Sequence, residues 1–145
     1  MSHVGEILKS KGNVVWSVTP ETKLSAALLL MKEKNIGAVL VQEGEKIAGV
    51  FSERDFSRHA TAQKLLELDL PVKNFMSRNV LCISSAKTIE ECMTLMTVRH
   101  VRHLPVIDEG KLTGIISIGD VVSRVIAEQK FSLEQLENYV SGKMY

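Results

Sequence analysis

The sequence predicts an α/β protein built from two β-α-β-β-α repeats packed as a pseudo-two-fold pair. Three observations carry that expectation. Residues 18–55 align with residues 83–120 without a gap, at an offset of 65. Seven of the 38 aligned positions are identical: Leu30, Met31, Val41, Lys46, Gly49, Ser52 and Asp55. Self-similarity of this kind marks a repeated supersecondary unit. Apolar spacing then switches between helical and strand periods in the same order in both copies. Finally, the punctuation coincides, since Gly49-Val50-Phe51-Ser52-Glu53-Arg54-Asp55 reads like Gly114-Ile115-Ile116-Ser117-Ile118-Gly119-Asp120. A unit of about 60 residues has a thin core by itself. Two copies packed through their sheets would bury what each leaves open.

The elements follow in order. A short helix is expected near Val4–Leu8. Val14–Val18 and its counterpart Val80–Ile83 read as β-branched strands. Thr19-Pro20 reads as a helix start, with Thr as N-cap and Pro at the first helical position. Leu24, Ala27, Leu28 and Met31 recur at helical spacing and are matched by Ile89, Cys92, Met93 and Met96, which makes the methionines at 31, 93 and 96 packing residues. Ala38–Val41 and Leu104–Ile107 are short buried strands. Glu43-Gly44-Glu45 and Asp108-Glu109-Gly110 are turns, and Ile47–Phe51 and Leu112–Ile116 are the returning arms. Helices begin near Ser52 and Ser117. The repeats are expected at 5–62 and 76–128, with a linker over 63–75 and a C-terminal helical extension over 129–145, broken near Lys130-Phe131-Ser132. Leu133, Leu136 and Val140 give that extension an apolar face, which predicts packing on its own module or on a second copy.

Composition narrows the function classes. The 145 residues carry 18 basic and 17 acidic side chains, a net charge of +1. Bulk charge therefore points to neither nucleic acid nor a membrane surface. No signal peptide or apolar run of about 20 residues is visible, so a cytoplasmic location is expected. Cys82 and Cys92 lie in no metal-ligand spacing and read as reduced core thiols, so no metal is expected. There is no GxSxG, HExxH or Walker loop, and His3 and His59 are isolated surface residues, so catalysis is not expected.

Two features could carry ligand chemistry. Ser52-x-x-Asp55 and Ser117-x-x-Asp120 each sit where a strand gives way to a helix. A capping box alone would explain both pairs. The same geometry suits a nucleotide: a helix N-terminus favours phosphate, and an aspartate one turn in can accept ribose hydroxyls. The second feature is Arg99-His100-Val101-Arg102-His103-Leu104-Pro105. Arg99 fits a helix C-terminus, whereas Arg102 and His103 lie beyond it and would suit a phosphate. The first copy has Gly37-Ala38 at those places and carries Arg54 instead, where the second has Gly119. The two sites are therefore not equivalent.

With these motifs in hand, the chain resembles a tandem CBS pair, also called a Bateman module, of the stand-alone bacterial kind assigned to signal transduction. The resemblance rests on Val-Thr-Pro, Leu-x-x-Ala, Gly-Ala-Val-Leu-Val and Gly-Val-Phe-Ser-Glu-Arg-Asp in the first copy, and on Arg-His-Leu-Pro-Val-Ile and Gly-Ile-Ile-Ser-Ile-Gly-Asp-Val in the second. It covers residues 5–128. It implies a non-catalytic regulatory module with two clefts that bind AMP, or alternatively ADP, ATP, NAD(H) or S-adenosylmethionine. It further implies that Asp55 and Asp120 hold ribose hydroxyls, and that Ser52 and Ser117 sit at phosphate or ribose. Arg54, Arg102 and His103 would meet phosphates. Ile36, Gly37, Ala38, Met76, Val80 and Val101 would line adenine. A homodimer and an effector protein are the implied partners. Leu40, where the second copy has Pro105, departs from the usual family pattern. The runner-up is a structural interaction module with no ligand.

Overall fold

Helical and strand spacing resolve into ten elements along the described chain. The computed structural model describes residues 2–62 and 68–142. It contains α1 (Val4–Lys11), β1 (Ser17–Val18), α2 (Leu24–Lys34), β2 (Ala38–Glu43), β3 (Lys46–Ser52), α3 (Glu53–Ala62), α4 (Ile89–Arg99), β4 (His103–Asp108), β5 (Lys111–Ser117) and α5 (Ile118–Val140), with a 3-10 turn at Val72–Asn74. The chain divides into two compact units: Val14–Leu81, and Met1–Asn13 together with Cys82–Tyr145.

In the unit Val14–Leu81, β1 runs parallel to β2, and β2 pairs antiparallel with β3 in the register Ala38↔Ser52. Leu24, Ala27 and Met31 of α2 pack with Val39, Val41 and Phe51 of the sheet. The helix starts at Leu24 rather than at Pro20. Thr19 and Thr22 bond each other in a preceding turn, which takes up the Thr19 hydroxyl that a cap would need. Lys23, the actual N-cap, makes no side-chain cap bond. Asn35 ends α2 in the left-handed conformation, at φ 52°, and turns the chain into β2.

The second unit repeats this plan with one loss. β4 and β5 pair antiparallel in the register His103↔Ser117, and a register shift falls between Val106 and Ile107, matching the shift between Val41 and Gln42. α4 begins with a capping box made by Thr88 and Glu91, buries Ile89, Cys92 and Met96, and ends at left-handed His100. The strand expected over Val80–Ile83 is reduced to a single bridge, Ile83↔Val106. Pro105 explains the loss. In the first unit the Leu40 N–H donates to the Trp16 carbonyl, and proline at the matching place has no N–H to give. α5 is continuous through Lys130-Phe131-Ser132, where a break was expected. These three residues satisfy the helical ladder, and none is a proline.

The segment leading into each repeat packs in the other unit. α1 buries Val4, Ile7 and Leu8 in the unit that holds the second repeat. It is tied there by bonds from Val4 N–H to the Lys87 carbonyl and from Ile89 N–H to the Ser2 carbonyl. Arg124 of α5 reaches Glu6 at 2.7 Å. The second repeat's leading segment does the same in the first unit. Val72 and Phe75, which fall in the expected linker, belong to the core of Val14–Leu81. Residues 63–67 of that linker lie outside the described residues. Both dockings press against a glycine. A Cβ on Gly49 would lie 2.6 Å from the Ser77 carbonyl oxygen and 2.7 Å from Met76 Sδ, and one on Gly114 would lie 2.6 Å from Leu8 Cδ2.

Candidate functional site

Each unit brings its serine and aspartate together at the end of its second hairpin strand. In Val14–Leu81, Asp55 Oδ2 accepts from the Ser52 N–H at 2.9 Å and from the Ser52 hydroxyl at 3.0 Å, while Ser52 Oγ accepts from the Asp55 N–H at 3.2 Å. The pair is a reciprocal helix cap. Asp55 Oδ1 is met by the Ser77 hydroxyl at 3.1 Å. The Glu53 N–H donates to the Gly37 carbonyl at 3.0 Å. Ile36-Gly37-Ala38 thus lies against the first turn of α3, held there by the Ala38↔Ser52 register.

The second unit has the same frame and a different donor. Ser117 and Asp120 form a capping box, with the Ser117 N–H 2.8 Å from Asp120 Oδ2. The Ile118 N–H donates to the Arg102 carbonyl at 2.9 Å, which holds Val101-Arg102-His103 where Ile36-Gly37-Ala38 lies in the first unit. Lys11, the last residue of α1, puts its ammonium 2.7 Å from Asp120 Oδ2 and 3.0 Å from the Ile115 carbonyl. Burial pushes the Asp120 carboxyl up, but the hydrogen bonds from Lys11 and Ser117 and the lysine charge outweigh it and hold the group below its ordinary value.

The structure therefore gathers Ser52, Asp55, Ile36, Gly37 and Ala38 in one unit, and Ser117, Asp120, Val101, Arg102 and His103 in the other. Arg54 and Arg102 are exposed and His103 is half-buried. Met76 packs beside Gly49. Val80 is half-buried, and its N–H donates to the Arg78 carbonyl. Two contacts to the aspartates were not foreseen, those of Ser77 and Lys11. Ser77 had a weak signal in following Met76. Lys11 had none, because nothing local says where an eight-residue helix will dock.

Three smaller expectations need correction. His59 is half-buried edge-on to Phe75, with ring centroids 5.1 Å apart, rather than a free surface residue. Met93 is 38% exposed, unlike the buried Met31 and Met96, and lines a groove beside α5. Cys92 is buried, but Cys82 is only half-buried, in the segment where the expected strand is reduced to the Ile83↔Val106 bridge. Burial raises the Cys82 thiol; burial, followed by the charge of Glu91, raises Cys92 to about 11. Among the described residues no group of three metal-ligating side chains occurs, and no helix is long and apolar enough to cross a membrane. A groove of about 510 Å³ between α4 and α5, lined by Glu90, Met93, Val125 and Leu133 among others, is separate from the predicted site residues.

Paired strand-to-helix junctions of this design recur in known proteins. The family model for the CBS domain matches residues 4–61 and 72–127. The chain belongs to the CBS-domain family. It is 32% identical to the mitochondrial CBS domain-containing protein CBSX3 of Arabidopsis thaliana over 96% of this chain and 72% of that one. A solved structure from Burkholderia ambifaria, of a protein with CBS domains assigned provisionally to signal transduction, is 42% identical. It superposes with a TM-score of 0.83 over 88% of this chain and 96% of that one. The structure of CBSX2 in complex with AMP shares the fold at 24% identity and a TM-score of 0.68, over 89% of this chain and 99% of that one. With two CBS repeats over most of its length, the protein is a CBS pair.

Proposed function

We propose that this CBS pair is a non-catalytic sensor of adenine nucleotides, with AMP as the first candidate and ADP, ATP or NAD(H) as alternatives. The observation that supports it best is the matched placement of Asp55 and Asp120. Each carboxylate is fixed at a helix entry beside a strand-entry segment, residues 36–38 or 101–103, in which Ile36 and Val101 are half-buried. That combination offers a ribose hydroxyl a fixed carboxylate next to Ile36 or Val101 for the base. Arg54 would serve phosphate at the first site, and Arg102 and His103 at the second. Met76, Val80, Ile36 and Val101 would contact adenine. AMP bound to CBSX2 supports the ligand class. Binding can act on a partner only by favouring one of two states, so the output passes to an effector protein or to a homodimer. The exposed face of α5, with Ile118, Val122, Ile126, Leu133 and Leu136, favours a second copy.

Calorimetry on protein stripped of carried-over nucleotide tests the reading. AMP is expected to bind, and Asp55→Ala and Asp120→Ala are each expected to remove one site while costing about 1 kcal/mol of cap stability. No heat from AMP, ADP, ATP or NADH would instead favour the interaction-module reading. The cap bonds support that second reading, because they account for both Ser-Asp pairs without a ligand.

A further inference from the structure

The two aspartates differ in what faces them. Among the described residues, Asp55 meets hydroxyl and backbone donors from Ser52 and Ser77, whereas Asp120 meets the ammonium of Lys11. We propose that Lys11 is a further phosphate-selecting cation of the Asp120 site, beside Arg102 and His103, a recognition residue delivered by α1. This rests on the reading that Asp120 receives the ribose of a nucleotide, and it concerns which nucleoside derivatives that site accepts.

The argument is one of charge and reach. A nucleotide brings negative phosphate close to an aspartate that must itself stay ionised to accept ribose hydroxyls, and like charges repel unless a cation lies between them. In the first repeat Arg54 adjoins Asp55. In the second the matching residue is Gly119, where a built Cβ would find only Ser117 Oγ, at 3.6 Å. Arg102 and His103 belong to the β4 side of the junction, and Lys11 is the cation that contacts the carboxylate. Contacts along α1 fix where it lies. Val4, Ile7 and Leu8 are buried, Leu8 presses on Gly114, and Arg124 holds Glu6. These contacts place the end of α1 over β5. The Ile115 carbonyl and Asp120 Oδ2 use two of the three ammonium protons, and the third serves a phosphate oxygen. The Lys11 and Ser117 bonds both fall on Oδ2, so Oδ1 can take a ribose hydroxyl without displacing the lysine. The Lys11 side chain is 35% exposed, enough for a ligand to reach it.

The test uses the full chain with Asp55→Ala in every sample, so that calorimetry reads the Asp120 site. AMP and adenosine are titrated into protein with Lys11 intact, into Lys11→Gln and into Lys11→Arg. Lys11→Gln should weaken AMP about tenfold, the scale of one charge-assisted hydrogen bond, and Lys11→Arg should restore it. Adenosine, which lacks phosphate, should stay within about twofold throughout. Equal losses for both ligands, or no loss for either, would reduce Lys11 to a tether of α1. Tighter binding of both ligands would make it a competitor of the ribose. Either result overturns the proposal. Failure of AMP to bind the sample with Lys11 intact would overturn the Asp120 reading itself, and this proposal with it. Urea midpoints of the three proteins separate a folding defect from a binding one.

Discussion

Asp120 ionises more readily than an ordinary aspartate although it is partly buried, because donors from two directions meet its carboxylate. A carboxyl whose folded pKa lies below its unfolded value adds stability above the unfolded value, here 3.8. That stability is lost as pH falls through the lower folded value. Asp120→Asn keeps the size and removes the charge. It should cost about 1 kcal/mol at pH 7, the worth of a helix cap, and the gap in urea midpoint between variant and parent should close as pH falls below 3.8. A gap that stays constant with pH would mean that the Lys11 pairing adds nothing. Both Ser-Asp pairs were legible in the sequence, since a strand ending in Ser-x-x-Asp is a local pattern. Their donors were not legible. Ser77 and Lys11 lie 22 and 109 residues from the aspartates they meet, and no local pattern encodes such a distance.

At the scale of elements, the leading segments decide how each hairpin is backed. Gly49 faces backbone, the Ser77 carbonyl, which is held by paired bonds to Val50. Gly114 faces the methyl groups of Leu8, which can rotate away. Gly49→Ala should therefore destabilise by about 2–3 kcal/mol and Gly114→Ala by about 1 kcal/mol, within the range for overpacked sites. Chemical denaturation of the two variants measures the order, and a larger effect at Gly114 would contradict this account of the packing. The hairpins, α2, α4 and the start of α5 were visible in periodicity and turn residues. The missing strand at Val80–Ile83 was not, although its cause, Pro105, was in plain view. A proline inside a short apolar run lacks the N–H that its neighbour's carbonyl would accept, and the neighbour's sequence carries no trace of that. The start of α2 was misplaced because Thr19-Pro20 forms a turn that imitates a cap.

At the scale of the molecule, the repeat was the strongest signal, and it carried the family and the order of elements. Its boundaries in sequence are not the boundaries in space, because each leading segment packs in the other unit. The long apolar face of α5 predicts self-association. The protein should sediment as a dimer at micromolar concentration, and Ile126→Glu should shift it to monomer without loss of helicity; an unchanged profile would place the contact elsewhere. The exchange of leading segments also orders events on the ribosome. Val14–Leu81 is one continuous stretch and can close its core once Leu81 has emerged. The apolar side chains of α1 are made earlier, yet Leu8 has no seat until Gly114 has been translated and β5 has formed. Contacts of such long sequence separation form late. The nascent chain thus carries Val4, Ile7 and Leu8 uncovered while an entire unit folds behind them, and a delay in translation between residues 82 and 117 would prolong that exposure.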